Sequence, residues 1–288
     1  MMIDMLGKKR YRVNLHTHTT VSDGKLTPQE AIALYRANGY DAIALTDHWQ
    51  FQAGGLDANG LLVLSGIEYD TKNTTTKEGL FHILGLGMSR DPHLAQNATA
   101  QEMLDAIHSC GGTAVLAHPA WSLNSPEQIL SLHGIDATEI YNSVSNVHMS
   151  RRPDSSLIVD MLGAKGFFLP LVADDDTHYY DGDECYAWIM VEAQECTQAA
   201  LLTAIKEKKF YATQGPEIHA WREGDEIVVR CSPCQEIVFF SDTVWCPRVF
   251  TGDGITQARY RIDDRDSFVR VQITDANRKS AYTNCITL

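Results

Sequence analysis

Residues 14 to 24 read NLHTHTTVSDG. His16 and His18 stand two apart, and Asp23 follows shortly after. Side chains of an extended segment alternate faces with period 2, so both imidazoles look the same way. Tyr11 to Leu15 reads as that strand, and Ser22-Asp23-Gly24 as the turn after it. Alone, such a pair is either half of a metal chelate or a chance pair, because metal sites are recognised by whole constellations. Here ligand-type residues recur strand after strand. Ala42–Leu45 runs into Thr46-Asp47-His48, and Leu61–Leu64 into Ser65-Gly66-Ile67-Glu68. Ala114–Ala117 runs into His118-Pro119, and Leu171–Ala173 into Asp174-Asp175-Asp176-Thr177-His178. His82 departs from the pattern by opening its strand, Phe81–Leu86. Six of the eleven histidines belong to this set, with the carboxylates of Asp23, Glu68 and Asp176. One histidine at a strand end is more often a hydrogen-bonded core residue. A whole series of them points to a multinuclear centre.

Imidazole and carboxylate without thiolate suit Zn, Mn or Fe, and two to three divalent ions are expected. A single glutamate among histidines, Glu68, is suited to bridge two of them. Bridged ions generate a hydroxide nucleophile near neutral pH and clamp the oxygens of an in-line displacement. Asp47 and Asp174 read as turn or supporting groups.

The elements that must hold these residues alternate. Strand-like runs at Arg12–Leu15, Ala42–Leu45, Leu61–Leu64, Phe81–Leu86, Ala114–Ala117, Thr138–Tyr141, Phe167–Ala173 and Ala187–Val191 are interleaved with helical patterns. Thr27-Pro28-Gln29-Glu30, Thr99 to Glu102 and Ser125 to Gln128 are capping boxes that open three helices. Thr197 to Phe210 is a further amphipathic helix. Such βα alternation predicts an α/β parallel sheet or barrel with reactive residues at the C-terminal strand ends. After Ala212-Thr-Gln-Gly-Pro216 no helical pattern remains. Short β-type runs at Ile227–Val229, Ile237–Phe240, Arg259–Ile262 and Phe268–Ile273 predict a small antiparallel β domain.

Composition sets the outer limits. The chain has 288 residues, enough for one large domain or one domain plus a small one. A net charge of −13 disfavours an extended nucleic-acid face. No apolar run is long enough for a transmembrane helix, so no membrane partner is expected. Seven unevenly placed cysteines fit reduced thiols in a cytoplasmic protein.

Taken in order, His16-Thr-His18, Ser22-Asp23-Gly24, Thr46-Asp47-His48, Gly66-Ile-Glu68, His82, Ala117-His118-Pro119 and Asp176-Thr-His178 resemble the motifs of the PHP (polymerase and histidinol phosphatase) family. The resemblance implies a distorted (β/α)7 barrel over residues 1–213, followed by the small β domain over 214–288. It implies a trinuclear centre, with His16, His18, Glu68 and Asp176 on a first ion. Glu68, His82 and His118 would hold a second, and Asp23, His48 and His178 a third. The implied activity is a metal-dependent phosphoesterase acting on a small phosphate ester or nucleotide. Lys206 to Pro216 and Tyr282-Thr-Asn284 are similar to a branch of carbaryl-hydrolase-like metallohydrolases. That similarity keeps a carbamate, amide or carboxylic-ester hydrolase as an alternative, beside a non-catalytic metal-binding interaction module.

Outside the ligand set, Asn142 ends a strand and is a candidate substrate amide. Arg151, Arg152 and Lys25 are candidate anion contacts, against the reading of solvated surface charges. His133 is a candidate proton donor. Cys231 and Cys234, with Cys246 and Cys285, could close a structural zinc site, against the reading of buried free thiols.

Overall fold

The computed structural model describes residues 1–57, 60–71, 79–245 and 247–288. The chain opens with β1 (Met2–Ile3), β2 (Lys9–Asn14), α1 (Pro28–Ala37), β3 (Ala42–Ala44), β4 (Gly55–Leu56), β5 (Leu62–Leu64), β6 (Gly66–Asp70) and β7 (His82–Leu86). It continues through α2 (Ala100–Ser109), β8 (Thr113–Leu116), α3 (Pro119–Ser122), α4 (Pro126–Leu130), β9 (Ala137–Asn142), α5 (Ser143–Val147) and α6 (Ser156–Gly163). Then come β10 (Leu171–Asp174), β11 (Trp188–Glu192), α7 (Gln198–Lys206) and β12 (Phe210–Thr213). The rest is strand only: β13 (Ile218–Glu223), β14 (Glu226–Phe240), β15 (Val249–Arg261), β16 (Phe268–Thr274), β17 (Ser280–Tyr282) and β18 (Ile286–Thr287).

All three capping boxes form. Thr27, Thr99 and Ser125 each accept from the backbone three residues on and are bonded back by that residue's side chain. The third helix is only five residues long, and α3 only four. A regular alternation of seven strands with seven full helices is therefore not what these residues build. They build a mixed α/β protein dominated by two sheets. The larger runs β13-β14-β16-β17-β12-β11-β2-β3-β5-β4, and the smaller β10-β9-β8-β7-β6. The C-terminal strands are antiparallel, as expected, but they extend the larger sheet through the β12–β17 pair.

The chain crosses between sheets at Ser65, between β5 and β6. Gly66 is required there: a Cβ would meet the Leu45 carbonyl oxygen at 2.5 Å. Beyond the regular strands, parallel bridges join His48 to Glu68 and Thr17 to Thr177, bringing the two sheets together along one rim. β7 runs antiparallel to both neighbours. Its first residue therefore lies at the rim where the other strands end, which is why His82 opens a strand and still belongs with the rest.

Apolar side chains such as Val13, Leu15, Ala44, Leu64, Leu84 and Val115 fill the space between the sheets. Two polar links fasten the C-terminal strands to them. Asn284 accepts from Leu171 N at 2.8 Å and donates to Phe210 O at 3.0 Å. Arg270, fully buried on β16, donates to both oxygens of Asp160 on α6 at 2.6 and 2.7 Å, and lies 4.0 Å from the Phe240 ring centre. Among the described residues no helix is long and apolar enough to cross a membrane.

Removing one partner of a buried ion pair strands the other charge. Asp160→Asn is expected to cost about 3–5 kcal/mol, read as a lowered midpoint in urea unfolding.

Candidate metal centre

The first candidate ligand pair lies just past β2. His16 and His18 flank Thr17, whose bridge keeps the backbone extended, and both rings turn the same way. Their Nε2 atoms are 3.1 Å apart. Asp176 Oδ1 sits 3.0 Å from one and 3.1 Å from the other, and Glu68 Oε2 sits 3.4 and 3.1 Å from them. All four residues are buried. Glu68 reaches further: Oε2 lies 3.1 Å from His48 Nδ1, and Oε1 lies 2.8 Å from His82 Nδ1 and 3.6 Å from His118 Nε2. Asp23 closes the outer side, 3.8 Å from His48 Nε2, 3.6 Å from His178 Nε2 and 3.5 Å from His18 Nδ1. Gly24 makes that turn possible, because a Cβ there would meet the His18 carbonyl oxygen at 2.4 Å. All nine ligand-type residues thus share one site.

Three of their atoms, His48 Nδ1, Glu68 Oε2 and Asp176 Oδ1, are buried without a hydrogen-bond partner. They crowd other lone-pair atoms at about 3 Å yet lack hydrogen-bonding geometry. Buried polar groups are seldom left so, and atoms that converge on a common point without bonding one another fit a divalent cation.

The candidate ligands are held from behind. Glu139 accepts from His16 Nδ1 at 2.7 Å, which turns Nε2 inward. Its other oxygen accepts from His118 N and from Asn142 Nδ2. His118 Nδ1 is 3.1 Å from Ser122 Oγ, and His178 Nδ1 donates to the Asp176 carbonyl at 2.7 Å. Asp47 accepts from Thr19 N at 2.7 Å and from Ser22 N and Oγ, fixing the loop that carries His18 and Asp23. Asp175 accepts from Tyr35 OH, Ser143 Oγ and three successive backbone amides at 185–187.

Charge is unevenly shared in this nest. Burial disfavours a charged His16, but Asp176, Glu68 and Glu139 outweigh it and raise the imidazole well above its ordinary range. Burial lowers His48 and His178, and the neighbouring His18 ring adds to the effect. Burial also opposes ionised Glu68 and Asp176, yet the surrounding histidines hold both below the carboxylate range. Asp174 is the opposite case: burial, then the charge of Glu139, push it far upward, which favours the neutral acid. Burial pushes Asp175 up to about 6.

Several expected contacts lie elsewhere. Asn142 is buried beneath the site rather than facing its mouth. Its Nδ2 donates to Glu139 and Asp176, and its Oδ1 caps α5 through Ser145. His133 is exposed, its backbone is tied to Gln101 on α2, and it does not line the cavity over the candidate ligands. Arg151, Arg152 and Lys25 are exposed, and none lines the cavity of about 390 Å³ over the ligands. Cys231 and Cys234 pack with their sulfurs 3.7 Å apart, and Cys285 belongs to another apolar cluster. Cys246 lies outside the described residues. A four-cysteine zinc site is not assembled among the described residues.

Sequence reading missed Glu139 as a brace and Trp121, Met149 and Tyr179 as cavity walls. Trp121 carried one readable signal, standing three residues after a ligand on a Pro-initiated turn.

Among solved structures, the chain is similar to a two-domain protein from Bacteroides vulgatus, described as containing a predicted PHP-like metal-dependent phosphoesterase. The TM-score is 0.58 at 16% identity, over 99% of this chain and 98% of the other. An amidohydrolase from Chromobacterium violaceum matches 59% of this chain and 89% of its own, at 18% identity and a TM-score of 0.44. No family model and no curated protein matches. The first likeness establishes a shared fold across the whole length.

Glu139→Gln keeps the shape but removes the charge that orients His16. Metal affinity is expected to fall 10–100-fold in a competitive chelator titration, with the circular dichroism spectrum unchanged.

Proposed function

We propose that this protein is a metal-dependent phosphoesterase of the PHP type, with a hydrolytic site on the rim where the two sheets meet. The observation that carries the reading is the convergence of six imidazoles and three carboxylates with buried, unbonded lone pairs. In this reading the strands around the site form a distorted seven-stave barrel over residues 1–213. Residues 214–288 are a β domain grafted onto its sheet.

His16, His18, Glu68 and Asp176 would hold one ion, and Glu68, His82 and His118 a second. Asp23, His48 and His178 would hold a third. The close groupings His16–His18–Glu68–Asp176 and His18–Asp23–His48–His178 support the first and third sets. His48 also groups with Glu68 and His82, so it stands between two sets. Zn, Mn and Fe all suit these donors. When bound, the ions supply a water acidic enough to attack near neutral pH, and positive charge for the ester oxygens.

The chain's own residues do the rest. Glu139, Ser122 and the Asp176 carbonyl hold His16, His118 and His178 by Nδ1, leaving Nε2 of each ring aimed inward. Asn142 pins Asp176 Oδ2 at 3.1 Å. Trp121, Val144 and Met149 restrict water above the ligands. One observation favours a second reading, hydrolysis of a carbon-centred ester or amide: no lysine or arginine lines the cavity among the described residues.

Manganese-loaded protein is expected to release phosphate from a panel of sugar, aryl and nucleotide phosphoesters, and chelated protein to release none. Silence with bound metal confirmed, and turnover of a carbonyl-ester panel, would transfer the assignment to the second reading. Because Glu68 faces two ligand sets, Glu68→Gln should lose more metal than His178→Ala by elemental analysis. Equal losses would remove the bridging role.

A further inference from the structure

We infer that a second cavity, at the seam where the C-terminal strands join the larger sheet, binds a small organic anion. The charge of the anion meets Lys208 Nζ, and its apolar body lies beside Trp221. The inference does not depend on the phosphoesterase reading.

The cavity measures about 500 Å³, a small-molecule size, and shares no lining residue with the one over the candidate ligands. β2, β11, β12, β13, the turn after α7 and the segment between β17 and β18 contribute to it. Arg10, Lys208, Lys209 and His219 line it together with Glu192. That is a cationic lining in a chain of net charge −13. Three of the four are matched by carboxylates. Arg10 Nε donates to Asp4 at 2.7 Å, Lys209 pairs with Glu207 at 2.7 Å, and His219 with Glu217 at 2.7 Å. Lys208 differs. Its half-buried ammonium donates to the Phe168 carbonyl at 3.1 Å, a dipole rather than a charge. An ammonium carries three donors, and a carbonyl answers one of them. Burial pulls the Lys208 pKa down, and an anion beside it would oppose that pull.

The backbone at Lys208 asks for no lysine. α7 ends in a Schellman motif, with Lys208 N donating to Ile205 O at 3.0 Å and Lys209 N to Ala204 O at 2.8 Å. Lys208 fills the left-handed position of that motif, at φ 57°, where glycine is the unstrained residue. Its ammonium does not turn back to the last carbonyls of α7 but leaves the helix for Phe168. The reach of the side chain into the cavity accounts for a lysine in glycine's place. Trp221 is half-buried on β13, and Ile218 and Ile286 extend the apolar side of the lining. A ring gains burial there while its charge stays with the ammonium.

The test is a proton–nitrogen correlation NMR spectrum of the zinc-loaded full chain, titrated with benzoate and with benzamide, its neutral isostere. The five tryptophans give five indole signals, and Trp221→Phe and Trp121→Phe assign the two that report on the two cavities. Benzoate is expected to shift the Trp221 signal saturably and to bind about tenfold more tightly than benzamide. Lys208→Met keeps the stem, loses the charge and should abolish that preference. Lys208→Gly should also abolish it, with the thermal midpoint kept, because glycine relieves the left-handed turn. Equal affinity for the two probes, or a Trp221 signal that benzoate leaves in place, overturns the inference. A shift of Trp121 alone puts the anion at the metal centre and overturns it too, as does a benzoate preference unchanged in both Lys208 variants.

Discussion

A carboxylate buried among imidazoles sets the terms for this molecule. Glu68 is only 1% exposed, and both its oxygens face ring nitrogens from four different chain segments. Taking such a group from water costs several kcal/mol unless opposite charge is assembled around it. The fold answers by delivering a histidine at one strand end after another. The crossing at Ser65, the reversal of β7 and the Thr17 and His48 bridges can all be understood as ways of bringing those ends to a single rim.

Once the ligands are gathered, a second tier must hold them still. Asp47, Glu139 and Asp175 are fully buried acceptors; Glu139 and Asp175 collect donors from several segments, and Asp47 gathers the loop of Thr19 and Ser22. Asp174, pushed towards its neutral form beside Glu139, keeps two adjacent carboxylates from both carrying full charge. The tier is continuous with the cavity wall, because Asn142 serves Asp176 and α5 together.

This division explains what could be read from the sequence. Most candidate ligand residues stood out because a polar residue follows an apolar run, and the capping boxes at Thr27, Thr99 and Ser125 were legible because their chemistry is local. His82 stood among the candidate ligands without a reason for its odd place, since strand direction is a tertiary fact. Asn142 looked like a mouth residue because strand ends are where mouths are, and only the long-range contact to Asp176 turns it inward. Two separate short runs, Ile227–Val229 and Ile237–Phe240, proved to be one strand, β14, whose pairing with β15 shifts register around Cys234. The helical reading that ran on to Phe210 stopped at Lys206, because β12 is claimed by partners on both sides, β11 and β17.

The sheet order also has a history in time. β2, which leads into the first two ligands, pairs with β11, so Arg12 lies opposite Met190. During synthesis the N-terminal strand must wait for about 180 residues to follow it, roughly 10–35 s at ordinary elongation rates. Its early neighbour β3 offers only a two-residue parallel pairing in the meantime. Contacts this distant in sequence make folding slow and leave an unpaired edge in the nascent chain. The sheet that carries His16 and His18 is therefore completed only once β11 has been made.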